Sequence, residues 1–101
     1  MRESVIEKHL VKRVKELGGE VRKVQWLGRN GAPDRVVMLP FTFYYYHPSG
    51  VLQSSPTVGV ELKATGVAPE PHQLREHTRM RAMGQHVVVI DSIESVEALL
   101  V

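Results

Sequence analysis

The stretch Val58-Gly59-Val60-Glu61-Leu62-Lys63 decides the fold, because its apolar and other residues alternate with the period of a β-strand. One face of this strand carries branched apolar side chains suited to a core. The other face carries a carboxylate and an amine two residues apart, with open space beside Gly59. Glu61 and Lys63 can form a simple ion pair there, but a second carboxylate upstream favours a catalytic role.

That second carboxylate is Asp34, which lies in Gly31-Ala32-Pro33-Asp34-Arg35. A loop rich in turn residues enters the apolar run Val36–Leu39 at this point, and Pro33 favours extended geometry for the residue before it. Two carboxylates that converge with a lysine are what a divalent cation and a water nucleophile need for phosphodiester hydrolysis.

These residue types predict a metal site. We expect Asp34 and Glu61 to bind Mg²⁺ (or Mn²⁺) directly, assisted by the backbone carbonyl of Leu62. We expect Lys63 to orient or activate the attacking water. Its ammonium group can also stabilise the negative charge that develops on the phosphate.

Length and composition bound the protein class. A chain of 101 residues with 43% hydrophobic residues predicts one folded domain, residues 1–101. The absence of cysteine excludes a disulfide framework and a thiolate zinc site. No apolar run reaches membrane-spanning length, and the charged start MRESVIEKHL argues against a secretory signal peptide. We therefore expect a cytoplasmic protein with no membrane partner.

The charge distribution permits a polyanion as partner. The net charge is only +2, but basic residues crowd the first third of the chain, and three arginines follow on a later predicted helix. Each basic residue taken alone fits a solvated helix face equally well. Charge therefore allows nucleic acid without requiring it.

Periodicity and turn signals predict the element order α-β-β-β-α-β-α, an α/β fold with one mixed sheet flanked by helices. The predicted elements are a helix over residues 2–17, strands over 20–26 and 34–39, the Glu61/Lys63 strand, a helix over 71–83, a strand over 86–90 and a last helix. A capping box at Asp91-Ser92-Ile93-Glu94 predicts the start of the last helix.

The segment between the second and third strands, residues 41–56, predicts an extended hairpin. It holds Phe41-Thr42-Phe43-Tyr44-Tyr45-Tyr46, more aromatic surface than one small core can absorb on both faces of a strand. Some of these rings should be exposed and mark a dimer contact or a surface for nucleotide stacking. The structural alternative is that they cover the end of the core.

Two helical residues are further site candidates. Glu7 lies with the apolar stripe of the first helix, where an unpaired charge is costly to bury. It is either a water-mediated metal ligand or the partner of a basic side chain, whereas Glu3 belongs to the helix end. Gln73 shares a helix face with His77 and Met80 and should point toward the sheet, where it can orient the nucleophile or hold the phosphate.

These residues resemble a known family. Pro33-Asp34 followed by Glu61-Leu62-Lys63 is similar to the PD-(D/E)xK nuclease pattern. The fuller series, with Ile6–Leu10 before it and Pro71-His72-Gln73 after it, resembles the VRR-NUC (virus-type replication-repair nuclease) domain. The resemblance covers nearly the whole chain in the family's order.

The resemblance implies a metal-dependent DNA nuclease with an α-β-β-β-α-β core. By the family pattern, the active-site residues are Glu7, Asp34, Glu61, Lys63 and Gln73. Stand-alone members, common in phages and bacteria, resemble small dimeric Holliday-junction resolvases, so we expect a homodimer acting on branched DNA in repair, recombination or replication. The location would be the bacterial cytoplasm, or the host cytoplasm for a phage protein. Residues 41–56 are longer than the turn usual between these strands.

Basic residues near this site are candidates for DNA contact: Lys23, Arg29 and Arg35. The five histidines are expected to be surface or core residues. A different function class also fits the chain, namely a DNA-structure-binding module that keeps the nuclease fold without hydrolysis. A sequence-specific restriction-type nuclease is less consistent with 101 residues, which leave no target-recognition domain.

Overall fold

A computed structural model describes residues 1–101 and contains three helices and four strands. The elements are α1 (Glu3–Glu16), β1 (Glu20–Lys23), β2 (Arg35–Tyr46), β3 (Leu52–Leu62), α2 (Pro71–Ala82), β4 (Val87–Ile90) and α3 (Ile93–Leu100). This is the predicted element order, and the α/β class with one mixed sheet is confirmed. None of the helices combines the length and apolar character that crossing a membrane requires.

The four strands form one sheet in the order β1-β2-β3-β4. β2 is antiparallel to both β1 and β3, and β4 joins β3 in parallel. β3 is therefore an interior strand, and Glu61 is paired across the sheet with Val89 of β4. An interior strand holds its side chains rigidly, which suits a site that needs fixed ligands.

The core lies between one face of the sheet and the helices α1 and α3. Ile6, Leu10 and Val14 of α1 are fully buried at the four-residue spacing of one helix face. They pack in one apolar cluster with the inward residues of β3 and with Val96 of α3. The branched face of β3 is thus the core face, as its alternation predicts.

The opposite face of β3 packs against α2. His77 of α2 is fully buried beside Glu61, and Pro33 fills the space above Gly59. A Cβ atom added at Gly59 would lie 3.2 Å from Cγ of Pro33. The space predicted beside Gly59 is therefore not open, because the loop that precedes β2 occupies it.

Element ends differ from the prediction by a few residues. β1 ends at Lys23 instead of Trp26, and the indole Nε1 of Trp26 donates to the carbonyl of Pro33 at 2.8 Å. The last capping box is shifted by one residue: Ser92 is the N-cap and exchanges hydrogen bonds with Ser95. The predicted pair Asp91/Glu94 was wrong, since a serine hydroxyl serves both as acceptor and as donor there.

The segment 41–56 forms a long hairpin, in which Tyr46 of β2 is paired with Leu52 of β3. The register changes between Met38 and Phe43, around a proline that has no N–H to donate to the ladder. Phe43 is buried, whereas Tyr44 and Tyr46 are 72% and 73% exposed. One face of the hairpin therefore closes the core, and the other presents aromatic rings to solvent.

Candidate active site

The antiparallel register of β2 and β3 brings the two predicted metal-binding carboxylates together. Arg35 is paired with Val60, so the preceding residue, Asp34, comes opposite Glu61. Pro33 fixes this arrangement, because it is buried against Gly59 and its carbonyl accepts the hydrogen bond from Trp26. The Pro-Asp dipeptide thus positions its carboxylate through the packing of the proline ring.

Glu61 is a buried carboxylate with a strongly perturbed proton equilibrium. Only 4% of the residue is exposed, and burial together with the charge of Asp34 raises its pKa to about 7. Lys63 and Arg35 act in the opposite direction, while Glu3 adds to the increase. Acidic and basic groups therefore surround Glu61 closely enough for each to change its charge state.

Glu3 belongs to this electrostatic environment although its sequence position favoured an uninvolved helix end. The chain start is held close to the site, because the carbonyl of Met1 accepts a hydrogen bond from the backbone N–H of Thr65 at 3.1 Å. Thr65 follows Lys63 by two residues. No local sequence signal places Glu3 there, because the contact that holds the chain start near the site joins Met1 to Thr65, which are far apart in the sequence.

Arg35 joins Glu7 to Asp34. Its Nε donates to Oε2 of Glu7 at 2.6 Å, its Nη2 forms an ion pair with the same carboxylate, and its Nη1 lies 3.0 Å from Oδ2 of Asp34. Only 13% of the Arg35 side chain is exposed. This geometry is unfavourable for the predicted DNA contact of Arg35, because its donors are already directed at two carboxylates.

Gln73 lies on α2 as predicted, but its amide completes a capping box. Its Oε1 accepts the backbone N–H of Glu70 at 2.8 Å, and the Glu70 side chain accepts from the backbone of Gln73. The amide group is therefore held at the first turn of α2. This bond satisfies one of the backbone donors that the start of the helix leaves unpaired.

The sequence predicts a surface or core histidine at His77, and the structure places it in the core beside the candidate site. Its side chain is fully buried, and Nε2 lies 3.5 Å from Oε1 of Glu61. Neither of these atoms has a hydrogen-bond partner, and both are shielded from solvent. Burial lowers the pKa of His77, and Arg81 lowers it further, so the ring is neutral at pH 7 and has one N–H to donate.

The donor set fits a hard divalent cation. Oδ1 of Asp34 and Oε1 of Glu61 are buried, and neither has a hydrogen-bond partner. Buried carboxylate oxygens without donors are costly unless a cation or a proton compensates them. The chain holds no cluster of three or more acidic, histidine or cysteine side chains for a metal. Mg²⁺ commonly binds through one or two carboxylates and completes its shell with water and substrate oxygens, so Asp34 and Glu61 suffice.

The remaining predicted DNA contacts lie on the surface. Lys23 is exposed at the end of β1, and Arg29 is exposed in the loop that leads to Asp34. Trp26 is 45% exposed, so part of its ring is accessible even though its N–H is bonded. Lys23 and Arg29 therefore keep free cationic groups for a polyanion.

Comparison with known proteins places the chain in a family. No family model matches it. A phage protein named "Putative nuclease p44", from Acyrthosiphon pisum secondary endosymbiont phage 1, is 44% identical over 92 residues, which cover 91% of this chain and 85% of the phage protein. A solved structure described as a VRR_NUC domain is 39% identical, covers 97% of this chain and 92% of its own, and superposes with a TM-score of 0.72. The chain belongs to the VRR-NUC family of the PD-(D/E)xK nuclease superfamily.

Proposed function

We propose that this protein is a divalent-metal-dependent DNA endonuclease that hydrolyses phosphodiester bonds. The observation that supports this most is the juxtaposition of Asp34 and Glu61, two carboxylates with oxygens that lack any proton donor. Lys63 comes directly after the last residue of β3, and its charge acts to lower the pKa of Glu61. Carboxylates beside a lysine on a rigid strand are the arrangement that metal-assisted hydrolysis needs.

In this proposal Asp34, Glu61 and the backbone carbonyl of Leu62 hold Mg²⁺ (or Mn²⁺). When bound, the metal neutralises phosphate charge and lowers the pKa of a coordinated water. Lys63 orients the attacking water and stabilises the negative charge that develops on the phosphate oxygens. The water oxygen forms a new bond to phosphorus while the bond to the leaving oxygen breaks.

Three further residues support this centre. Glu7 contributes through a bridging water, and Arg35 fixes the carboxylates of Glu7 and Asp34 so that neither rotates away. Gln73 leaves its capping position when DNA binds and orients the nucleophile or holds the phosphate. Arg29 and Lys23 contact the DNA backbone, because both side chains are exposed, whereas Arg35 is engaged by the carboxylates of Glu7 and Asp34.

We further propose that the substrate is branched DNA, such as a Holliday junction, and that the enzyme acts as a homodimer. Two symmetric cuts require two active sites, which a two-fold dimer supplies. The exposed rings of Tyr44 and Tyr46 and the exposed Leu52 form a surface on the hairpin that a second copy can cover. A groove of about 670 Å³ between the hairpin and the end of α3 adjoins the edge strand β4 and extends this apolar region.

The test is a cleavage assay on labelled single strands, duplexes, flaps and four-way junctions with Mg²⁺, Mn²⁺ or EDTA. We expect metal-dependent cutting that favours a branched substrate, is abolished by Asp34→Asn and is lost in Lys63→Ala while metal binding persists. Glu94→Gln is the control, because Glu94 is an exposed carboxylate on α3 outside the site. Tight junction binding without cutting under any metal would instead favour the binding-module alternative.

A further inference from the structure

The loop before β2 and the helix α2 enclose a polar cleft beside the candidate active site. Gly28–Asn30 form one wall, and His72, Arg75, Glu76 and Arg79 form the other. The cleft has a volume of about 340 Å³ and no hydrophobic side chain in its lining. It shares both of its elements with the active site, because Asp34 follows the loop and Gln73 lies on the same helix.

The two walls are held at a fixed separation. Gly31 has a φ of +90°, and a Cβ atom added there would lie 2.7 Å from the carbonyl oxygen of His72 and 3.0 Å from the Cα of Gln73. The loop backbone therefore rests directly on the first turn of α2. Such close contact holds the loop backbone at Gly31 against the helix that carries Arg75, so the cleft is built by packing.

Most arginines of the chain are engaged by acceptors of the fold. Carboxylates or a backbone carbonyl accept from Arg13, Arg22, Arg35, Arg79 and Arg81. Arg29 and Arg75 have no hydrogen bond or ion pair, and both line this cleft. Unpaired guanidinium groups that converge on one polar depression are available for an anionic ligand.

The carboxylate of Glu76 moderates the charge of the cleft without cancelling it. Glu76 is 8% exposed, and its Oε1 accepts from Nε of Arg79 at 3.2 Å. Half of the Arg79 side chain remains exposed, so its other donors still face solvent. With Arg29 and Arg75 the cleft carries three cationic groups against one carboxylate, a net positive site for phosphate.

We propose that this cleft binds backbone phosphates of the DNA strand that flanks the scissile bond, with Arg29 and Arg75 as the principal contacts and Arg79 as a third. The proposal rests on the proposed nuclease function, since it extends the same substrate past Gln73 along α2. It adds α2 to the DNA-binding surface, so the strand runs from the Asp34/Glu61 centre across the first three turns of that helix.

The test separates binding from cleavage. Affinity for a labelled four-way junction and a duplex is measured by fluorescence anisotropy in EDTA at several salt concentrations, so that no cutting occurs. We expect Arg75→Ala to weaken binding about 3- to 10-fold at low salt and to reduce the slope of log affinity against log salt by about one. The double variant Arg29→Ala/Arg75→Ala should reduce the slope by about two.

Lys12→Ala is the matched control, because it removes one exposed, unpaired cation on α1, away from the cleft. It should change affinity less than 2-fold, on the order of a screened surface charge. Unchanged affinity and salt slope in the folded double variant, with junction binding by the wild type, would overturn the proposal whether or not the enzyme cuts. Conversely, a weakened double variant alongside a wild type that never cuts DNA would support the cleft and reject the nuclease function.

Discussion

Arg35 and Glu7 form the strongest charged contact between α1 and the sheet, with Nε of the arginine 2.6 Å from Oε2 of the glutamate. The same guanidinium reaches Oδ2 of Asp34 at 3.0 Å, so one side chain links the helix to the Pro-Asp loop. The charged groups of Glu7, Asp34 and Arg35 hold one another in position only while all three are present. The Arg35 guanidinium thus has a structural role, because it positions the carboxylates of the site.

Replacing Arg35 by alanine should therefore destabilise the fold and impair the site together. The variant leaves Glu7 and Asp34 without their cation, and we expect a loss of about 1–3 kcal/mol in the free energy of unfolding. Urea unfolding monitored by circular dichroism measures this. Arg22→Ala is the control, because Arg22 pairs with Glu20 at more than 60% exposure, and it should cost less than about 1 kcal/mol. Equal losses in the two variants would show that the Arg35 contacts are ordinary surface pairs.

The raised pKa of Glu61 makes the metal-free protein less stable as pH rises. The folded state holds the Glu61 proton up to about pH 7, whereas an unfolded glutamate loses it near its ordinary value of 4.5. The stabilising contribution of the proton is thus complete below about pH 4.5 and disappears as pH rises through 7. In EDTA at pH 8, Glu61→Gln should be more stable than wild type by on the order of 1–3 kcal/mol.

The two proteins should converge in stability near pH 4.5, which urea titrations across the range test directly. Mg²⁺ should reverse the order at pH 8, because only the wild type gains a cation at its ionised carboxylate. Identical pH dependence of the two proteins in EDTA would mean that Glu61 titrates normally.

His77 should control the charge state of Glu61. Replacing it with leucine removes the imidazole whose Nε2 lies 3.5 Å from Oε1 of Glu61 and leaves an apolar neighbour, which disfavours the carboxylate form. We expect the pH at which Mg²⁺ binding is half-maximal to rise by about 0.5–1 unit, measured by calorimetric titration. His77→Gln, which keeps an N–H donor, should recover most of the shift. A leucine variant that binds Mg²⁺ with the wild-type pH profile would limit His77 to packing.

Local patterns predicted the fold and the two central carboxylates for a physical reason. The alternation of Val58, Val60 and Leu62 fixes the core face of β3 within one strand. The turn residues before Asp34 fix the start of β2. The antiparallel pairing of β2 with β3 then brings Asp34 opposite Glu61. Each step uses only neighbouring residues or a single strand pairing.

The contacts that the sequence did not predict are those in which one residue could have paired with any of several similar partners. Any of several basic side chains could have neutralised Glu7, and only the tertiary structure selects Arg35. Likewise, helical spacing places His77 on the face of Gln73 but does not bring it to Glu61, which depends on how α2 docks against the sheet. Pairings between distant elements follow from packing geometry, which has no local sequence signature.

Substitutions at two glycines of the loop before β2 distinguish the effect of backbone strain from the effect of a lost tertiary contact. Gly28 and Gly31 both have positive φ, at +81° and +90°, so alanine is strained at either position. Space around Gly28 is open, whereas a Cβ at Gly31 meets the backbone of α2 at 2.7 Å. We expect Gly28→Ala to cost about 1 kcal/mol of stability and to reduce cleavage less than Gly31→Ala does. Gly31→Ala should cost more and lose cleavage, because the loop with Asp34 must move away from α2. The measurements are thermal unfolding and cleavage rates of the two variants. Equal losses in both variants would contradict the expected difference.

The exposed aromatic face of the hairpin should determine the oligomeric state. Replacing both Tyr44 and Tyr46 by serine removes the two most exposed rings of β2, and the paired Leu52 then has no aromatic neighbour across the ladder. We expect sedimentation velocity to show a dimer for the wild type at micromolar concentration and a folded monomer for the double variant. Tyr45→Phe is the control, because Tyr45 points to the other face, stacks on His86 with ring centres 4.2 Å apart, and donates to the Gly84 carbonyl. It should cost stability through the lost hydrogen bond and leave the dimer intact. A wild-type protein that sediments as a monomer, with and without junction DNA, would contradict the dimer and with it the paired cuts that depend on two sites.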